Sequence, residues 1–340
     1  MPTLTPLENY KRLLNGETPE YVPSMMDGGA MFGTPLSFQD KLSSMIGGWP
    51  EGEVRYDLFG VPYVTSEHAG GGALPQPGKF ILDDITKWRD VIKRPASIDE
   101  IDWELCASRD LPTIDRENSI FTGGASVGNG YFELLCSFMG FDMGLIACIE
   151  EPEEVKDLVN FLCDMNVELT KNMLYHYKPE GWGFADDIAH DRAPFISMSI
   201  FLDIFEPVWR RSAAPAKDAG LHASHHNCGK LEEFIPYIVD MGFDSWNPAE
   251  PQNDLVGIAK AFPGQLALCG GFAGNGIVSW ADATEEQIRA YTKQQLDLLA
   301  PTGQYVFGGF VMGPQGDEET QKRIGWIYDE FEKLRYSYYN

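Results

Sequence analysis

The sequence predicts an α/β protein of the (β/α)8 TIM-barrel class, and three observations carry that expectation. From about residue 115 onward, short apolar segments ending in Gly, Asp, Asn or His alternate with amphipathic helical stretches. Such a rhythm builds a parallel sheet covered by helices. The chain has 340 residues, enough for one barrel-sized unit. No stretch rich in Gly, Ser or charge divides it and no internal repeat is visible, so residues 1–340 are expected to form a single barrel domain.

Taken in order, "YVPSMMD" (Tyr21 to Asp27) supplies an early strand. Residues 30–115 are less regular, with the Gly/Pro-rich "EHAGGGALPQPGKF" and then "ILDDITKWRDVIKRPASIDEIDWE". They are expected to be an irregular insertion or lid over the barrel mouth, with Gly70 to Gly78 in its rim. The later strands are "SIFTGGAS", "GWGFADDIA", "GLHASHHNCG", "FDSWNPAE", "QLALCGGFAG" and "QYVFGGFVMG", each a buried run that opens into a polar loop. Between them, "EEPEEVKDLVNFLCDMNVELTKNMLYHY" opens with carboxylates and spaces Val155, Leu158, Val159, Leu162 and Met165 as one helical face. "ATEEQIRAYTKQQLDLLAP" starts on a Thr284/Gln287 capping box and stops at Pro301, and the final "DEETQKRIGWIYDEFEKLRYS" is amphipathic.

Composition narrows the function. With 44% apolar and 23% charged residues the chain is globular, and its net charge of −25 repels phosphate backbones and anionic membranes. Neither nucleic acid nor membrane is therefore expected as a partner. The N-terminal stretch is polar and no apolar run reaches the ~18 residues of a membrane span, which gives a cytoplasmic expectation. The cysteines Cys106, Cys136, Cys148, Cys163, Cys228 and Cys269 are scattered, as reduced thiols are in a chain without an export signal.

If the strand ends share one face, Asp186, Asp187, His226, Cys228, Asn247, Glu250 and Cys269 converge at the mouth. His226 and Cys228, in His-x-Cys spacing, with Cys269 from a later strand, form a His/Cys/Cys set. That set suits zinc with a fourth position open to a substrate. A lone His-x-Cys also arises by chance, and it is the strand ends and the second cysteine that favour a metal. Asp187 and Glu250 are the catalytic candidates, either carboxylate being able to move a proton or orient a ligand. Adjacent strand residues face opposite ways, so only one of Asp186 and Asp187 can look into the barrel; the other reading of either is a helix cap. Of His222 and His225, which alternate along the strand with His226, one is expected to be a hydrogen-bonded wall residue. The segment "GGASVGNGYFE" (Gly123 to Glu133) has neither phosphate-loop spacing, and its glycines let backbone pass close to a ligand. Asn129 within it joins Asp186, Asn247, Trp246 and Phe184 as a substrate-binding candidate. Trp246, Phe184 and Phe272 could wall an aromatic substrate, although such rings in a barrel are more often core.

These motifs in their order ("DLFGVPYV", "ILDDITKWRDVIKRP", "DWE", "FADDIA", "HHNCGKLEEFIPYIVDMGFDSWNPAEPQNDL", "LALCGGFA") resemble the uroporphyrinogen decarboxylase superfamily over most of the chain. The resemblance is most specific in His-x-Cys-Gly and the strand and "NP" that follow. Its decarboxylases carry an arginine-rich segment after the first strand, whereas the matching "PSMMDGGAMFG" has no arginine, the residue that clamps carboxylates. The resemblance therefore implies the other branch, zinc methyltransferases that move a methyl group between a small methylated substrate and the cobalamin of a separate corrinoid protein. A methoxy compound undergoing O-demethylation, aromatic or otherwise, is the expected substrate. In the coenzyme M members the third zinc ligand lies near the last strand, where this chain has "FGGFVMGP" and no cysteine. Cys269, Glu250 or Asp187 is left to complete the set. The alternative is a metal-free lyase acting on a carboxylated substrate. Nothing in the sequence fixes the oligomeric state, and a homodimer is allowed.

Overall fold

The computed structural model describes residues 2–28, 49–50, 52–66, 72–124, 126–128, 130–313 and 316–339. Ahead of the barrel, β1 (Val54–Tyr56), β2 (Pro62–Thr65) and β3 (Ala73–Pro75) form an antiparallel sheet. Val61, Leu82, Trp88 and Ile98 of this region join the main core. The amides of Ile81 and Leu82 both donate to the Phe138 carbonyl at 3.0 Å, and the Tyr63 hydroxyl donates to Ser137 Oγ at 3.1 Å. The described part of the insertion is thus fastened to the helix Tyr131–Met139. Residues 30–48, 51 and 67–71 of the expected insertion, including part of its Gly70 to Gly78 rim, lie outside the described residues.

The barrel wall is a parallel sheet of β4 (Thr122–Gly123), β5 (Gly181–Ala185), β6 (His222–His226), β7 (Ser245–Ala249), β8 (Ala267–Gly270) and β9 (Tyr305–Phe307), paired in chain order. The expected early strand is only a bridge, Ser24 to Phe307, because Asp27 turns back to accept the Ser24 amide. It still links the ends of the sheet. Met25 donates to the Phe307 carbonyl at 2.9 Å and Phe307 to Pro23 at 2.8 Å, while Ile120 donates to Gly28 at 2.9 Å. The architecture is that of a TIM-type barrel, with six regular strands and this short segment among the described residues.

The long helix Pro152–Tyr177 buries Val155, Leu158, Val159, Leu162 and Met165. The Thr284/Gln287 capping box opens the helix Glu285–Leu299, as their sequences predict. The helix Pro6–Leu14 closes the bottom of the barrel. Its own capping box, Thr5 with Glu8, starts it; Lys11 pairs with Glu180 just before β5, and Gly16 lies against Gly264 just before β8. Leu13 packs on the lumenal Ala267, Cys269 and Val306. Among the described residues no single helix is long and apolar enough to cross a membrane, although the bent pair Tyr131–Met139 and Phe141–Glu150 passes on length and composition alone.

Candidate metal centre

Strand alternation decides which side chains reach the lumen. On β6, Ala223 and His225 are buried outward under the helices. His222 and Ser224 line a lumenal cavity of about 70 Å³ together with Tyr10, Thr122, Ser245, Asn247 and Cys269, and His226 shares their parity. Where β5 and β6 run out at the mouth, Asp187, His226 and Cys228 offer one oxygen, one nitrogen and one sulfur, all within 4.8 Å of one another. Each is partly exposed.

Backbone and side-chain bonds fix this cluster. The Cys228 amide donates to Asp187 Oδ1 at 2.7 Å, so the carboxylate and the thiol are tied across two strands. Cys228 Sγ lies 3.8 Å from His226 Nε2. His226 Nδ1 is 2.7 Å from Asn247 Oδ1, and because an amide oxygen only accepts, that ring nitrogen carries a proton, which in the neutral ring leaves the lone pair on Nε2. Gly229 is required after Cys228: its φ is +90°, and a Cβ there would come within 2.7 Å of the Ala189 carbonyl carbon. Its amide donates to Glu250 Oε2 at 2.6 Å, so Glu250 supports the turn that carries Cys228.

The electrostatics favour a cation. Burial raises the Cys228 thiol well above its usual range, and Asp187, Glu250 and Glu133 raise it further. Burial and then Asp187 also raise Glu133, against the pull of the Gly130 and Asp187 amides and of His226. A cation among these groups would hold the sulfur as thiolate and relieve the crowding of acids. The set of one imidazole, one thiol and one carboxylate fits zinc with a position left for substrate.

The other expected residues fall elsewhere. Cys269 is not brought to the cluster. It is 3% exposed, packs with Leu13 and Val306, and faces the plugging helix, where its thiol pairs with Tyr10 and burial pushes it up to about 12. The physical reason is position in the sheet: Cys269 stands on β8, two strands away from β6, and its side chain is packed against the plugging helix. Asp187 stands as the third member instead. Asp186 is fully buried and turned outward, accepting from Trp209 Nε1 at 2.7 Å and from the Phe132 amide at 3.0 Å. It holds the start of the helix Tyr131–Met139 and offers no surface to a substrate. Burial and Glu133 push its carboxyl up, while the Trp209 and backbone donors pull it down.

Phe184 also points outward, stacked on Trp182 and His225. Trp246 has no exposed surface and donates to the Asn227 carbonyl at 3.0 Å. Phe272 meets Tyr291 and Phe307 edge-on in the core. None of the three rings walls the lumen, because each has the outward parity of its strand or packs behind it. Asn129 lies outside the described residues. The wall histidine is His222, bonded to Asp244 at 2.8 Å.

Three residues that sequence reasoning passed over shape the site. Glu133 accepts the Gly130 amide and the Asp187 amide; its signal was a glutamate at the third position of a helix that starts after Gly130, where a carboxylate reaches back to the free N-terminal amides. Asn227 accepts from Ile188 at 3.3 Å and donates to the Asp186 carbonyl, stitching the two strand ends. Tyr10 enters the lumen from below, and the stripe Leu7, Tyr10 and Leu14 of "PLENYKRLL" carried that signal.

Fold and cluster together define a TIM-type barrel protein with a His-x-Cys-centred candidate metal centre at the strand ends. The sequence model of the uroporphyrinogen decarboxylase (URO-D) family matches residues 125–322, and the chain belongs to that family. Among solved structures, the chain is similar to a methyltransferase from Methanosarcina mazei, with a TM-score of 0.59 and 13% identity over 97% of this chain and 99% of that one. No curated protein matches the chain.

Proposed function

We propose that this protein is a zinc-dependent methyltransferase that moves a methyl group between a small methoxy compound and the cobalamin of a separate corrinoid protein. The observation that carries the reading is the convergence of Asp187, His226 and Cys228 at the barrel mouth, where barrels of this class place their chemistry. The similarity to a solved methyltransferase and the arginine-free "PSMMDGGAMFG" support it over a decarboxylase, whose polycarboxylate substrate needs cationic clamps.

In this reading Asp187, His226 and Cys228 hold zinc, which when bound polarises the ether oxygen as a Lewis acid. Cys228 is presented by the Gly229 turn, and Glu250 keeps that turn in place through the Gly229 amide. Asp187 braces the Cys228 amide, so ligand and scaffold are one unit. Glu133 anchors the Asp187 backbone. In this reading a corrinoid domain would approach the cluster from the mouth of the barrel.

The test is zinc content and methyl transfer together. Purified protein and its Cys228→Ser variant are assayed for bound zinc, then mixed with cob(I)alamin and a panel of aromatic and aliphatic methoxy compounds while cobalamin methylation is followed by absorbance. About one zinc per chain, lost with Cys228→Ser, and methylation with at least one donor are expected. Failure to take up zinc, or metal-free release of carbon dioxide from a carboxylated substrate at full rate in Cys228→Ser, overturns the proposal in favour of a lyase.

A further inference from the structure

We propose that Asn247, tied to Ser224, is the positioning residue that presents the Nε2 lone pair of His226 to the cation. This rests on the metal reading above and deepens it. The parallel register sets His226 directly beside Asn247 and Ser224 beside Ser245, so Ser224, His226 and Asn247 share the lumenal side of two neighbouring strands. Asn247 Oδ1 meets His226 Nδ1 at 2.7 Å, and Asn247 Nδ2 donates to Ser224 Oγ at 2.9 Å. Asn247 is only 6% exposed, which shields this contact from water. It also lines the lumenal cavity with Ser224 and Ser245, and both ends of its amide are already engaged, by His226 and by Ser224.

The amide decides what the imidazole can do. With Oδ1 toward the ring, Nδ1 must carry the proton, and Nε2, the nitrogen 3.8 Å from Cys228 Sγ, is free to bind a cation. With the amide turned over, Nδ2 would donate to Nδ1, the proton would move to Nε2, and His226 would point an N–H at the cation position. Serine can donate or accept, so Ser224 satisfies either arrangement but holds the amide plane in place. The observed amide orientation is therefore the one that leaves Nε2 free for the cation. Orienting partners of this kind typically change metal affinity 10–100-fold.

Asn247→Leu, Asn247→Asp, Ser224→Ala and His226→Ala are compared with the unaltered protein by zinc competition against a chromophoric chelator, and the imidazole tautomer of the metal-free proteins is read by nitrogen-15 NMR. Asn247→Leu should weaken zinc about 10–100-fold and raise the fraction of Nε2–H tautomer. Asn247→Asp, whose carboxylate can only accept, should restore both, which a merely structural asparagine would not allow. Ser224→Ala should fall between. Zinc affinity within twofold of the original in Asn247→Leu, or an unchanged tautomer there, overturns the proposal. If His226→Ala binds zinc as tightly as the original, it is the metal reading that fails, and the tautomer measurement still judges Asn247 by itself.

Discussion

Asp186 and Asp187 are neighbours in sequence with opposite duties, and separating them tests the site. Asp186 is fully buried and accepts from Trp209 Nε1 at 2.7 Å and the Phe132 amide at 3.0 Å. Asp186→Ala strands both donors. Each stranded donor costs about 1–3 kcal/mol, so for the two together a loss of about 4 kcal/mol is expected. Asp186→Asn keeps the shape but can accept through one oxygen only, and should lose about 1–2 kcal/mol. Asp187 is half-buried and its carboxylate takes the Cys228 amide. Asp187→Ala should cost at most ~1.5 kcal/mol, one hydrogen bond's worth, yet weaken zinc beyond the ~10–100-fold of a lost supporting contact. Urea unfolding of metal-free protein gives the first quantity and chelator competition the second. An Asp186→Ala variant as stable as the original but unable to bind zinc, or an Asp187→Ala variant that is strongly destabilised and still binds it, refutes the assignment.

Cys269→Ala should retain stoichiometric zinc, measured by elemental analysis, because its thiol is engaged by Tyr10 and packed on Leu13 of the plugging helix; loss of zinc would return it to the ligand set. Gly229→Ala forces a Cβ into the Ala189 carbonyl at a φ of +90°, and should cost about 1–3 kcal/mol of unfolding free energy together with tight zinc binding. His225 is buried, with neither ring nitrogen finding a partner among the described residues, and burial lowers its pKa to about 3. As pH falls below the unfolded value the unfolded chain binds this proton first, so stability drops by about 1.4 kcal/mol per pH unit toward the folded value. In urea unfolding of metal-free protein, His225→Phe should therefore lose about 2 kcal/mol less than the original between pH 7.5 and pH 5; equal losses would show that His225 is not held neutral by the fold.

What could be read in the sequence was whatever repeats with a period or sits at a strand end. Helix faces such as Val155 to Met165 follow from spacing, and the Thr284 start follows from its capping box. His226 and Cys228 were legible because a strand ending in His-x-Cys must deliver both near the mouth. Parity was legible too: only one of the paired aspartates could look inward, but which one depends on where β5 begins, and one residue's shift exchanges their roles. The third ligand was not legible. Cys269 has the right chemistry and the right parity, but it stands on β8, two strands away from β6, and is taken up by Tyr10 and Leu13 of the plugging helix. Which inward side chains meet is set by strand order, tilt and stagger, properties of the closed ring that no single strand's sequence contains. Tyr10 shows the same limit from the other side. Its helix is plain in "PLENYKRLL", but that it plugs the barrel from below depends on the Gly16 and Gly264 backbones meeting, a contact between segments far apart in the chain. The aromatic candidates failed for a different reason. Large rings at alternating positions serve equally to fill the outer layer, and in Phe184 and Trp246 the burial gained under the helices outweighs any role they could play in an open lumen.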